Sequence, residues 1–240
     1  MLWAIIENKK VEPKPNSHGK CPLCGGRVMS KCGEVNVWHW AHFKDENCDS
    51  WYEPESYWHL HWKMTFGKDN AEVVIKKENK WHIADILTDG EVVIELQNSP
   101  IQKDVIRKRE EFYGKRMIWV INGVHFKHNF YIRELDNLHF QWKSKHDETE
   151  NHKGRKQFIW DYARKSWFMT MRPVFVDFGH NTLFWVKEGM GTKNGIGLFV
   201  PKADFIEKYG GDYEYYSEQM AKEDYLIKCV NRKLAGACPR

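Results

Sequence analysis

The clearest pattern of apolar and polar positions along the chain is an alternation between Trp81 and Gln97. Trp81-His82-Ile83-Ala84-Asp85-Ile86-Leu87 and Val92-Val93-Ile94-Glu95-Leu96-Gln97 flank Thr88-Asp89-Gly90, which predicts two strands joined by a tight turn. Each strand carries an acid among apolar residues, where burial is costly unless the carboxylate is paired or metal-bound. Register decides whether the two acids meet. A two-residue Asp89-Gly90 loop sets Asp85 opposite Ile94 and turns Glu95 to the other face. A three-residue Thr88-Asp89-Gly90 loop, with Gly90 at positive φ, sets Asp85 opposite Val93 and leaves Glu95 and Gln97 on its face. A shared metal site therefore predicts the three-residue loop.

Around this hairpin the pattern predicts a helix over Pro54–Phe66 with Pro54 in its first turn, and a strand over Ala71–Lys76. Ser99-Pro100-Ile101-Gln102 reads as a helix start, with Ser99 capping, Pro100 at the first position and Gln102 closing a capping box. Ile101, Val105, Ile106, Phe112 and Tyr113 give that helix an apolar stripe, and Gly114 can end it. Met117–Ile121 follows as a buried strand. The order α-β-β-β-α-β predicts an α/β fold of the mixed α+β kind, with a mixed sheet packed on helices. Residues 124–157 are polar and irregular. Beyond them come an aromatic-rich helix over 157–168, strands at 173–178 and 183–187, a mobile Gly-rich loop from Gly189 to Gly197, and a helix over about 212–230. The expected organisation is a module over 1–50, a core over 51–145 and a C-terminal α+β region over 146–240.

With 240 residues, 42% of them hydrophobic, the chain can bury a real core in one or two domains. The net charge of +4 is carried by residues 150–240, which fits a polyanionic partner or a solvated face. No stretch reads as a signal peptide or membrane span; Leu2-Trp3-Ala4-Ile5-Ile6 is too short. Six cysteines, four of them within residues 21–48, suit a reducing cytoplasm and a metal site better than a disulfide framework.

Cys21-Pro22-Leu23-Cys24-Gly25-Gly26 has the form of a zinc knuckle. Cys32, His39, His42 and Cys48 compete for the second pair. His39 and His42, three apart, can aim at one ion from a helical turn, which makes Cys21, Cys24, His39 and His42 the expected ligands, with Cys48 or Cys32 as the alternative. His42 with Cys48 is the rival pair. Four protein ligands imply a structural Zn²⁺. The plainer reading is reduced cysteines and surface histidines.

Glu55, His59 and Lys63, at i, i+4 and i+8, share one helix face. With Asp85, Glu95 and Gln97 they can build a site for a hard cation such as Mg²⁺, the requirement for phosphodiester hydrolysis. Against this stands a surface role for Glu55 and Lys63, and ion pairs of Asp85 and Glu95 with Arg107 or Arg109. Trp160, Tyr162, Trp167 and Phe168, interleaved with Arg164 and Lys165, can stack bases or pack on the following strands.

Taken in order, Met1-Leu2 with Ala4, Cys21-Pro22 with Cys24, His39 with Ala41-His42, Glu55-Ser56, His59, Lys63, Ala84-Asp85, Glu95-Leu96-Gln97-Asn98-Ser99, Arg109 and Tyr113 resemble the CoiA-like competence proteins. That family is a branch of the PD-(D/E)xK nuclease superfamily, and the resemblance spans residues 1–122. It implies a PD-(D/E)xK-like core and a DNA-cleaving or DNA-processing enzyme. Mg²⁺ (or Mn²⁺) would be held by Asp85 and Glu95, with Glu55, His59, Lys63 and Gln97 completing the catalytic set. The superfamily's lysine two residues after the acid is Gln97 here. Glutamine can ligate or orient through its amide but carries no charge, so Lys63 is the expected substitute. The alternative is a catalytically inactive zinc-containing DNA-binding protein in competence, recombination or phage-related DNA handling.

Overall fold

The computed structural model describes residues 1–34, 37–43, 48–49, 51, 54–135 and 154–222. Short strands β1 (Ala4–Ile6), β2 (Lys9–Val11), β3 (His18–Lys20), β4 (Arg27–Lys31) and β5 (His39–His42) form an antiparallel sheet in the order β2-β1-β3-β4-β5. Its small core gathers Met1, Ala4, Cys21, Val28 and Trp40, with Ile83 of the hairpin packed against it.

The second sheet has nine strands: β6 (Ala71–Lys77), β7 (Lys80–Leu87), β8 (Val93–Gln97), β9 (Met117–Asn122), β10 (Phe130–Glu134), β11 (Arg155–Trp160), β12 (Val174–Asp177), β13 (Thr182–Glu188) and β14 (Asn194–Pro201). Their order is β10-β11-β14-β13-β12-β9-β8-β7-β6, with β8, β9 and β12 parallel and the other pairs antiparallel. The helices include α1 (Tyr57–Thr65), α2 (Lys103–Tyr113) and α3 (Lys202–Lys208). Alternation along β9 sends Trp119 and Ile121 into one core with Ile106 and Tyr113 of α2. Ile118 and Val120 enter the other core, with Trp62 of α1 and Phe205 and Ile206 of α3. A strand buried on both faces accounts for the unbroken apolar run at 117–121.

The mixed α+β class is as expected, and the order α1-β6-β7-β8-α2-β9 is present. Both helix starts differ. Ser56 caps α1 by accepting from the His59 N–H, which leaves Pro54 before the helix rather than in its first turn. α2 begins at Lys103 after an N-cap, Gln102, that makes no side-chain bond. Gln97 Nε2 donates to the Ser99 carbonyl at 2.9 Å, which holds the connection extended and keeps Ser99 and Pro100 out of the helix.

Residues 155–160 form β11 rather than a helix, because pairing on both sides by β10 and β14 imposes a period of two that buries Phe158 and Trp160. Gly195 and Gly197 lie in β14, not in a mobile loop. A Cβ on Gly195 would stand 2.4 Å from the Phe158 ring, and one on Gly197 would stand 2.6 Å from the Phe184 ring. These glycines make room for aromatics. The expected 212–230 helix is present over 213–222, and its remainder lies outside the described residues. So does the expected 145/146 boundary; the strands on either side of it share one sheet. Among the described residues no helix is long and apolar enough to cross a membrane.

Candidate active site and metal centre

The β7–β8 hairpin turns over three residues, but one position later than the alternation suggested. Thr88 N–H donates to the Val92 carbonyl at 3.0 Å and Glu91 N–H to the Thr88 carbonyl at 2.8 Å, leaving Asp89-Gly90-Glu91 as the loop. Positive φ falls on Glu91 (55°), not on Gly90. Ile86 pairs with Ile94 and Leu87 with Val93, which extrapolates to Asp85 opposite Glu95 rather than Val93. A displacement of two residues preserves faces, so the acids still meet.

Beyond those two pairs the strands part. β7 stays with β6 and β8 with β9, opening a fork. The acids occupy it: Leu96 N–H donates to Asp85 Oδ2 at 2.9 Å, and Asp85 N–H to Glu95 Oε1 at 3.4 Å. The side chains thus replace ladder bonds that the splayed backbones cannot make.

α1 closes the fork. Lys63, buried at 3% exposure, sets its Nζ 2.9 Å from Glu55 Oε1, 3.1 Å from Glu72 Oε1 and 3.1 Å from Asp85 Oδ1. Burial alone would lower the Lys63 pKa, but Glu55, Glu72 and Asp85 hold it well above the usual value. Burial likewise opposes ionisation of Glu55, yet Lys63, the Met1 ammonium and His59 bring its pKa down to about 2. His59, also buried, places Nδ1 2.9 Å from Ser56 Oγ. Glu72 takes φ 48° and accepts from Leu2 N–H at 2.9 Å and Trp3 N–H at 3.3 Å. That backbone costs on the order of 1–2 kcal/mol in a non-glycine residue, offset by the bonds it allows.

On the other side of the fork Arg109 of α2 donates from Nη1 to Glu95 Oε2 at 2.8 Å and from Nη2 to the Trp51 carbonyl at 2.6 Å. The expected alternative, an ion pair of Glu95 with Arg109, is therefore present within the acid cluster. Burial, only partly opposed by Arg109 and reinforced by Asp85, pushes the Glu95 pKa up to about 7. Gln97 is buried on the Glu95 side of β8 with its amide nitrogen on the Ser99 carbonyl, and it does not line the cleft.

The cleft, about 50 Å³, is lined by Glu55, His59, Lys63, Asp85 and Glu95 together with Glu72, Asp49, Trp51 and Arg109. Glu72 was visible in principle, as an acid inside the apolar run Ala71–Ile75. Asp49 and Trp51 had no such signal. Five buried or half-buried carboxylates, Asp49 among them, line the cleft with two side-chain cations, Lys63 and Arg109, and the raised Glu95 pKa reflects burial that Arg109 only partly offsets. Carboxylate oxygens are the donor type that a hard divalent cation takes, but Lys63 rather than a shared ligand point lies between Glu55, Glu72 and Asp85.

A second cluster lies in the N-terminal module. Sulfur and nitrogen atoms of Cys21, Cys24, His42 and Cys48 all fall within 4.8 Å of one another. Cys21 and Cys48 sulfurs are 3.5 Å apart, and Cys24 Sγ is 3.3 Å from His42 Nε2. A tetrahedral zinc with bonds of about 2.3 Å wants edges of about 3.8 Å, so the set fits Zn²⁺. Leu23 and Gly26 N–H groups donate to the Cys21 and Cys24 sulfurs at 3.4 and 3.3 Å, as a knuckle should. Burial raises the Cys21 and Cys48 thiol pKa values in the absence of metal. The expected pair His39–His42 is replaced by its rival, His42–Cys48. β5 is a strand, so residues three apart face opposite sides, and His39 Nδ1 turns to the Val37 carbonyl at 2.8 Å. Cys32 lies outside the cluster.

The C-terminal aromatics divide: Trp160 and Trp167 are buried, while Tyr162 and Phe168 are exposed.

Comparison with known proteins matches the family model "Competence protein CoiA, N-terminal domain" to residues 7–50 and "Competence protein CoiA, nuclease-like domain" to residues 70–180. The chain belongs to the CoiA-like family. It is 28% identical over 142 residues to the Competence protein CoiA of Bacillus subtilis (strain 168), covering 51% of this chain and 36% of that protein. The match thus spans about a third of that relative's length. No solved structure matches. The zinc-type cluster falls in the CoiA N-terminal match and the β7–β8 fork in the nuclease-like match. Glu55, His59 and Lys63 lie between the two.

Proposed function

We propose that this CoiA-like chain is a metal-dependent DNA nuclease of the PD-(D/E)xK type, hydrolysing phosphodiester bonds at the β7–β8 fork. The observation that carries the reading is Asp85 and Glu95 meeting where the strands part, with Lys63 3.1 Å from Asp85. Asp85 and Glu95 would hold Mg²⁺ or Mn²⁺, which supplies Lewis acidity toward a phosphoryl oxygen and a water of lowered pKa. Lys63 contributes from α1 the positive charge that Gln97 does not, and its amine can turn from the carboxylates toward a phosphate. Glu55, ionised across the working pH range, accepts a hydrogen bond from an attacking water. His59, beside Glu55, tunes that carboxylate. Arg109 aims Glu95. Gln97 braces the β8–α2 connection. Zinc held by Cys21, Cys24, His42 and Cys48 would be structural, since four protein ligands would leave no open position.

The test is cleavage of plasmid and single-stranded DNA with Mg²⁺ or Mn²⁺ by wild type, Asp85→Ala and Glu95→Ala. Cutting by wild type alone is the expected result. Equal cutting by both variants removes the site. DNA binding at low salt without cutting by any protein selects the inactive zinc-containing DNA-binding protein instead.

A further inference from the structure

We infer that Asp49 and Trp51 are positioning residues through which the Cys21-Cys24-His42-Cys48 cluster sets the geometry of the acid cleft. The inference rests on reading the cleft as a divalent-cation site and the cluster as a zinc site.

Cys48 and Asp49 are neighbours in sequence, yet they serve different sites. Cys48 Sγ lies in the cluster, 3.5 Å from Cys21 Sγ. Asp49 Oδ2 accepts from the Ile83 N–H at 2.9 Å, and Oδ1 lies 3.0 Å from His82 Nδ1. Those contacts hold β7 two residues before Asp85, at the open side of the fork. Trp51 continues the tie. Its ring stacks on His82 with centroids 3.3 Å apart and planes 11° apart. Its carbonyl accepts from Arg109 Nη2, and the same guanidinium holds Glu95 through Nη1. One short segment therefore touches the cluster, the strand bearing Asp85 and the cation that orients Glu95.

Cys21 makes a second connection. Its sulfur lies 3.7 Å from Met1 Sδ, Met1 lines the cleft, and the next two N–H groups bond to Glu72. Cys48, Asp49 and Trp51 lie in no helix or strand, so no backbone ladder holds them against the fork. A metal crosslink at Cys48 supplies that restraint, and removing it leaves a few hydrogen bonds to retain Asp49 on Ile83. Residues one step removed from a metal ligand typically change metal affinity about 10–100-fold when lost. Here that role extends from one metal site to another, although no cluster residue lines the cleft.

The experiment uses the full zinc-loaded chain and follows Mn²⁺ binding by electron paramagnetic resonance, with backbone amide exchange at Ile83 and Leu96 measured without Mn²⁺. Asp49→Ala should keep its zinc, bind Mn²⁺ about 10–100-fold more weakly, and exchange both amides faster. Asp49→Asn should recover much of the loss, because its amide oxygen can still accept from Ile83 N–H. Chelation of zinc from wild type, or Cys24→Ser, should loosen the same amides. Wild-type Mn²⁺ affinity and exchange in zinc-free protein would overturn the inference, as would an unaltered Asp49→Ala. If removing zinc unfolds the module, the Asp49 variants decide alone, since they leave every cluster ligand in place. Absence of Mn²⁺ binding by zinc-loaded wild type refutes the cation-site reading. The amide exchange still judges the coupling in that case.

Discussion

Glu95→Gln is expected to stabilise the metal-free cleft while removing its function. Burial raises the Glu95 carboxyl from its usual 4.5 to about 7. The native state therefore binds more protons than the unfolded chain between pH 4.5 and 7, and stability falls as pH rises through that window. At roughly 1.4 kcal/mol per pH unit, ionising Glu95 costs the fold about 3 kcal/mol by pH 8. Glutamine keeps an acceptor for Arg109 and never ionises. Urea denaturation of both zinc-loaded proteins, without other divalent ions, should show a variant-minus-wild-type difference near zero at pH 4.5 or below. The difference should grow to about 3 kcal/mol by pH 8. Added Mn²⁺ should stabilise wild type and leave the variant unchanged. A difference that stays flat with pH, or that favours wild type at pH 8, would refute the account of Glu95 as a carboxylate whose ionisation burial opposes and Arg109 only partly restores.

Lys63→Met removes the cation shared by Glu55, Glu72 and Asp85. Breaking a buried pair this way costs about 3–5 kcal/mol, to be read as a lowered urea midpoint together with loss of DNA cleavage. Zinc content by mass spectrometry should fall in Cys48→Ser and His42→Ala and stay intact in His39→Ala; the reverse would restore the His39–His42 pair. Gly195→Ala places a Cβ against the Phe158 ring and the Glu188 carbonyl and should cost about 1–3 kcal/mol by overpacking, seen as a lower melting temperature.

The alternation at 81–97 left two registers open, and only the three-residue loop put Asp85, Glu95 and Gln97 on one side; the observed register differs from it by two residues, which leaves faces unchanged. The alternation misplaced the loop because a positive φ was assigned to glycine, and Glu91 adopts it instead. The i, i+4 spacing of His59 and Lys63 was legible because helical period survives whatever packs around it, whereas Glu55 precedes the Ser56 cap and reaches Lys63 from outside the helix. Spacing misled at His39 and His42, where three residues mean one face on a helix and opposite faces on a strand. Pairing with β4, a tertiary fact, made that stretch a strand. The aromatic run at 157–168 failed likewise, since β10 and β14 impose strand geometry from both sides.

The local periods of this chain thus determined which acids, thiols and imidazoles were candidates and which of them share a face. Tertiary structure decided the rest. Only the parting of β7 from β8 creates the fork, and only folding brings Glu72, Asp49, Trp51 and Arg109 to it from separate stretches of sequence. The Glu95 carboxyl is pushed up to about 7 for the same reason. Burial and the balance of neighbouring charges belong to the assembled cleft, and no segment of the chain carries them alone.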